Sequence, residues 1–155
     1  MEKKLNYEQS KEKALRLLEF RSHSEKELKD KLYRAGAEED DIETVLEFCR
    51  EYNFVNDREY ARRKAADLRN LKKYGKHRII AELKSKGIGS EYIDYALEEI
   101  DFDDNGMLYP LIEKKLGGDF SKKSIDRAIR YFIYRGYSIS EIKECITRLE
   151  DEQNI

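Results

Sequence analysis

The sequence has 155 residues, 41% of them charged and 39% apolar, with a net charge of −2, one proline and eight glycines. Its apolar residues recur at regular intervals, which excludes a disordered chain, and its acidic balance argues against a domain that simply coats nucleic acid. With so few helix breakers, an almost entirely helical protein is expected.

The first predicted helix runs from about Tyr7 to Phe20, with Ala14, Leu15, Leu17 and Leu18 apolar. Ser24 and Glu27 have the spacing of a capping box for a second helix. Gly36 ends that helix. Asp40 and Asp41 then favour the first turn of a third, which continues through Ile42, Val45, Leu46 and Cys49 to about Tyr52. In the next stretch either Asn56 or Asp57 can cap a helix that begins at Arg58. Its apolar face is Tyr60, Ala61, Ala65, Leu68 and Leu71. Tyr74-Gly75 breaks it, a helix follows to Lys86, and Gly87-Ile88-Gly89-Ser90 turns into another from Glu91 to about Ile100. Asp101 to Gly106 reads as a loop. Pro110 suits a first helical turn, and a short helix through Leu111, Ile112 and Leu116 stops at Gly117-Gly118. Ser121 or Ser124 restarts the chain, with Ile125, Ala128, Ile129 and Phe132 inward. Ser138 and Glu141 form another capping box, for a last helix that ends near Leu149 and leaves a fraying tail.

A repeat underlies this order. Gly36, Gly87 and Gly136 are 51 and 49 residues apart. Four residues before each stands Leu32, Leu83 or Phe132; eight before, Leu28, Ile79 or Ala128; twelve before, Ser24, Gly75 or Ser124. Six after stands Ile42, Ile93 or Ile142; ten after, Leu46, Leu97 or Ile146. These offsets describe two amphipathic helices joined by a glycine in the left-handed conformation. With the upstream helix of each unit, the expectation is an all-α fold. It comprises three tandem three-helix repeats, 1–52, 53–104 and 105–155, in an elongated, curved, right-handed superhelical array. Gly36, Gly87 and Gly136 are its structural turns. Asp57 and Tyr60 are expected to be a helix cap and a core knob.

Charge is sorted along the chain. Residues 56–87 carry eleven cations and four acids, a local net charge of +7, so the remainder is −9. On a helical wheel Arg58, Arg62, Arg69 and Lys73 lie opposite the apolar stripe. Arg63 has Glu59 and Asp67 at i±4, whereas Arg69 and Lys73 have no acid at helical spacing. Lys72, Lys76, Lys84 and Lys86 support them, and Arg78 pairs with Glu82. In the third repeat Arg127, Arg130 and Tyr134 share an outward face, with Tyr131 at its edge. These cations are the expected docking residues, and replacing Arg62 and Arg69 by glutamate is expected to leave the fold intact. Glu38 to Asp41 reads as dipole complementation. Cys49 and Cys145 are expected as buried free thiols, and His23 and His77 as surface or helix-start residues. No nucleophile–base set, phosphate loop or metal-ligand cluster is present, so neither catalysis nor a cofactor is expected. No apolar run approaches the roughly 18 residues of a membrane span. The N-terminus lacks the apolar core of a secretory signal, which leaves a cytoplasmic protein, expected as a monomer.

Three segments carry a resemblance to a known family: Arg21-Ser22-His23-Ser24-Glu25-Lys26-Glu27-Leu28 with Lys31-Leu32 and Gly36; Asn56-Asp57-Arg58-Glu59-Tyr60-Ala61; and Tyr74 to Ile88, which reads YGKHRIIAELKSKGI. Together they resemble RecX, the bacterial regulator of the RecA recombinase, from about Leu15 to Leu149. The third repeat fits only loosely, through Tyr131 to Tyr137. The resemblance implies tandem three-helix repeats that lie in the groove of the RecA–DNA filament. It implies inhibition of strand exchange, ATP hydrolysis and coprotease activity, in DNA repair, recombination and the SOS response, and no catalysis of its own. A weak direct contact with DNA is compatible with it. Two other readings stay open on the residues alone: a stand-alone DNA-binding helical protein, and a general helical-repeat scaffold.

Overall fold

A computed structural model of the chain describes residues 4–102 and 106–154. Part of the expected Asp101–Gly106 loop, residues 103–105, therefore lies outside the described residues. Among the described residues there are nine α-helices and no strand, only an isolated bridge between Leu5 and Ala37. The helices are α1 Tyr7–Phe20, α2 Glu25–Arg34, α3 Glu39–Glu51, α4 Asp57–Asn70, α5 Lys76–Ser85, α6 Ser90–Glu98, α7 Leu108–Leu116, α8 Lys122–Tyr134 and α9 Ile139–Gln153. The expected all-helical fold is present, and α9 continues past Leu149 rather than fraying there.

The capping signals act as read. Ser24 and Ser138 each accept from the N–H three residues on, and Glu27 and Glu141 return the bond. Asn6 with Gln9 makes a third such box, at the start of α1. Of the two serines that could restart the chain, Ser121 caps α8, because its hydroxyl accepts from the Ser124 N–H. α4 ends at Asn70, so Leu71 leaves the apolar stripe and is 76% exposed.

The three aligned glycines have φ of 100°, 77° and 104°. Each makes the same turn. The residue after it donates its N–H to the carbonyl five positions back: Ala37 to Leu32 at 3.0 Å, Ile88 to Leu83 at 3.2 Å and Tyr137 to Phe132 at 3.0 Å. This is the Schellman closure of a helix, with the following side chain tucked inward. Ala37, Ile88 and Tyr137 are all buried.

Close contacts divide the chain into two compact units. Unit 1 holds the residues up to Lys64 with Leu83–Ala96; unit 2 holds Ala65–Glu82 with the residues from Leu97 onward. In unit 1, α1, α2 and α3 pack on one another around Ala14, Leu28, Leu32, Ile42, Val45 and Cys49. In unit 2, α7, α8 and α9 do the same around Ile112, Ala128, Phe132, Ile142 and Cys145. Both cysteines are free and buried.

Each unit docks a helix start onto a glycine turn. In unit 1 the Ser24 hydroxyl donates to the Lys86 carbonyl at 2.7 Å. In unit 2 the Gly75 N–H donates to the Arg135 carbonyl at 2.9 Å, and the His77 N–H to the Gly136 carbonyl at 3.1 Å. The approach at Gly75 is so close that a Cβ there would stand 2.5 Å from the Gly136 oxygen.

His23 overturns its expected surface position: it is 2% exposed. Its Nδ1 lies 2.9 Å from the Arg21 carbonyl and its Nε2 lies 2.8 Å from the Lys31 ammonium. A lysine can only donate, so the hydrogen bonds assign a neutral ring protonated on Nδ1. Burial lowers its pKa in keeping with that form.

Candidate functional site

The basic stretch divides into charges already spent within the protein and charges left to solvent. On the unit 1 part of α4, Asn56 is the cap, accepting from the Glu59 N–H at 3.1 Å. Asp57 caps a different helix: its Oδ1 accepts from the Glu25 N–H at the start of α2, at 2.9 Å. Burial pushes the Asp57 carboxyl above its ordinary range. Tyr60 is the expected core knob, and its hydroxyl reaches Glu27. Burial and the Glu27 carboxylate push that phenol well above the usual tyrosine range.

Glu27 is the centre of this cluster. It closes the Ser24 capping box, lies 2.9 Å from the Arg21 guanidinium and 3.5 Å from the Lys86 ammonium. Burial alone would raise its pKa. The Arg21 guanidinium, the Ser24 N–H and the Tyr60 hydroxyl reverse this and hold it at about 2.

Three expected free arginines prove to be engaged. Arg58 stacks on the Tyr95 ring at 4.0 Å. Arg62 holds Glu59 through Nε at 3.1 Å and through Nη2, and Arg63 holds the same carboxylate at 3.2 Å. Local spacing assigned Glu59 to Arg63, but the carboxylate has two oxygens and serves both. Arg69 is 6% exposed. Its guanidinium donates to the Tyr74 carbonyl at 3.0 Å and lies 3.5 Å from the Tyr137 hydroxyl. The rings of Phe102 and Tyr137 lie 5.0 and 5.9 Å from it. Its position opposite the apolar stripe of α4 suggested solvent; aromatic residues from later in the chain cover it instead.

The remaining expected residues divide in the same way. Arg78 pairs with Glu82 at 3.0 Å as expected, and lies between Tyr74 and Tyr134 at 4.8 and 4.7 Å. Lys86 is half-buried on Glu27. Lys72, Lys73, Lys76, Lys84, Arg127 and Arg130 are exposed, and none has a carboxylate within ion-pair distance among the described residues. Tyr131 and Tyr134 are exposed beside Arg127 and Arg130 on α8, as the spacing predicts. The sequence reading missed Arg135 and Tyr137, which fix the turn that carries Lys72 and Lys73. Arg135 donates to the Lys72 carbonyl, and the Tyr137 hydroxyl to the Lys73 carbonyl at 2.7 Å. A signal for Tyr137 was present. It occupies the column held by Ala37 and Ile88, and a phenol placed where its equivalents are aliphatic needs a polar partner.

Residues 11–49 match the first three-helix domain of RecX, and residues 56–97 match its second three-helix domain. The regulatory protein RecX of Vibrio campbellii is 37% identical over 145 residues, covering 92% of each chain. The chain belongs to the RecX family. Other members include the regulatory proteins RecX of Salmonella heidelberg, 34% identical over 86% of this chain and 87% of that one, and of Clostridium perfringens, 33% identical over 92% and 69%. The crystal structure of RecX from Lactobacillus salivarius shares the fold. Its TM-score is 0.79 at 23% identity, over 93% of this chain and 96% of that one. No helix among the described residues is long and apolar enough to cross a membrane.

Proposed function

We propose that this chain binds the RecA–DNA filament and restrains RecA-catalysed strand exchange, ATP hydrolysis and coprotease activity. It does so as a monomer in the cytoplasm, within DNA repair and the SOS response. Membership of a family whose members are named regulatory protein RecX supports the reading. The observation that carries it to particular residues is the sorting of the cations. Lys72, Lys73, Lys76, Lys84, Arg127 and Arg130 are exposed without a carboxylate, Lys76 with the Phe102 ring 5.9 Å away, on a chain whose other cations are largely paired or stacked. A filament of DNA and protein presents the negative charge that such residues complement. The three tandem repeats, 1–52, 53–104 and 105–155, would then act as successive docking modules, and the protein would supply no chemistry of its own.

The test is RecA ATP hydrolysis on single-stranded DNA with purified protein added. Wild type is expected to inhibit. Lys76→Glu with Arg130→Glu is expected to fold normally by circular dichroism and to inhibit at least about tenfold more weakly, as charge reversal at a docking rim does. If wild type leaves hydrolysis unchanged the reading is wrong. If the double variant inhibits like wild type, these cations are not the docking residues.

A further inference from the structure

Unit 2 contains a groove of about 490 Å³ whose lining goes beyond the residues singled out above. The turn after α4 supplies Leu71, Lys72 and Lys73. Facing them, α7 supplies Leu111, Lys114 and Lys115, and Tyr131 and Arg135 complete the wall. Among the described residues no carboxylate lines it. Five cations around one cleft repel one another, and an anionic occupant relieves that repulsion.

The turn is built, not loose. Lys73 has φ 58°, a left-handed conformation that a lysine rarely takes. Three bonds hold it there. Tyr137 donates to the Lys73 carbonyl at 2.7 Å, buried Arg69 to the Tyr74 carbonyl at 3.0 Å, and Arg135 to the Lys72 carbonyl. The product is an exposed leucine beside two exposed lysines. Backbone strain maintained by its surroundings gathers at ligand-binding segments.

We infer that this groove binds an acid-rich peptide segment of a protein partner, one in which an apolar side chain sits among aspartates and glutamates. The cations demand a polyanion. The apolar surface between them decides which kind. A nucleic acid base needs an open aromatic face on which to stack. Tyr131 is already engaged by Lys115 at 4.1 Å, by Arg135 at 5.5 Å and by the Phe132 ring at 4.9 Å, and Phe132 is buried. What remains open is aliphatic, Leu71 above all, and it matches a leucine or phenylalanine of a peptide. The inference does not rest on the filament reading, since it asks only for a peptide of this chemistry.

Fluorescence anisotropy tests it with the full chain and three labelled probes: the peptide Asp-Glu-Leu-Asp-Phe-Glu-Asp, the same peptide with both apolar residues replaced by serine, and an oligothymidylate of equal charge. The apolar acidic peptide is expected to bind about tenfold more tightly than either of the others. Lys72→Glu with Lys115→Glu is expected to weaken it by about tenfold or more. Leu71→Ser is expected to erase the preference over the serine peptide, and Lys13→Glu on α1 to change nothing. Tighter binding of the oligothymidylate overturns the inference in favour of nucleic acid. Equal binding of the two peptides reduces the groove to bulk charge, and unchanged binding by the folded Lys72→Glu, Lys115→Glu variant puts the site elsewhere.

Discussion

Glu27→Gln isolates the charge at the centre of unit 1. Glutamine keeps the shape of the side chain and can still return the capping-box bond to Ser24. It loses the charge that faces Arg21 at 2.9 Å and Lys86 at 3.5 Å. The Glu27 side chain is only 11% exposed, so its environment counts nearly in full. A carboxyl held at about 2 against an ordinary 4.5 corresponds to up to about 3 kcal/mol of folding stability. The Arg21 side chain is 43% exposed, and solvent screening reduces this to about 2 kcal/mol. Because the folded pKa lies below the unfolded one, the contribution is complete above about pH 4.5 and is lost as pH falls towards 2. Urea unfolding followed by circular dichroism is expected to show Glu27→Gln less stable by about 2 kcal/mol at neutral pH, or about 5 °C in Tm. At about pH 3 the gap between variant and wild type is expected to shrink to less than half. A gap of the same size at both pH values would mean that packing, not charge, makes Glu27 important.

Arg69→Glu is expected to lower stability by about 3 kcal/mol in the same assay, because it buries a carboxylate against the Tyr74 carbonyl and the Phe102 ring. An unchanged unfolding midpoint would place Arg69 in solvent after all. Gly75→Ala drives a Cβ to 2.5 Å from a backbone oxygen that cannot swing away, and is expected to cost about 1–3 kcal/mol. Gly89→Ala meets nothing within 4 Å and is the matched control, expected to be neutral or slightly stabilising.

What could be read from the sequence was whatever one residue and its helical neighbours decide. Gly36, Gly87 and Gly136 were legible because a positive φ selects glycine by itself. Ser24 with Glu27, and Ser138 with Glu141, were legible because a capping box closes over three residues. Arg78 with Glu82 was legible for the same reason, at i+4. The fate of the other charges was not. Arg69 meets Tyr137, which is 68 residues away, and Lys86 meets Glu27 across 59. No helical wheel contains those distances. The wheel also treats every residue opposite an apolar stripe as solvated, and that holds only where no second layer covers it. Which helix Asp57 caps was hidden on similar grounds: either it or Asn56 could cap α4, and Asn56 does so while Asp57 reaches across to cap α2.

The column twelve residues before each glycine was the least uniform in the repeat, and the contacts explain why. Ser24 and Gly75 sit at equivalent helix starts, and each docks on a glycine turn. The serine uses its hydroxyl on the Lys86 carbonyl; the glycine uses its N–H on the Arg135 carbonyl. The Gly36 turn is met in a comparable way, by the Leu5 N–H on the Gly36 carbonyl at 3.0 Å. A helix that ends leaves carbonyls without intrahelical partners, and each of these contacts supplies one with a donor, at a net gain of about 1 kcal/mol. The residue type in this column is therefore set by the turn it meets, whereas the glycine column is already fixed by its positive φ, with Lys26 and Arg78 packed close on Gly87 and Gly136. Ser124 meets no such turn among the described residues, and there the capping role passes to Ser121. Ser24 with Lys86 in unit 1 and Gly75 with Arg135 in unit 2 join segments far apart in the sequence, so each unit is stabilised by such a contact as well as by its core.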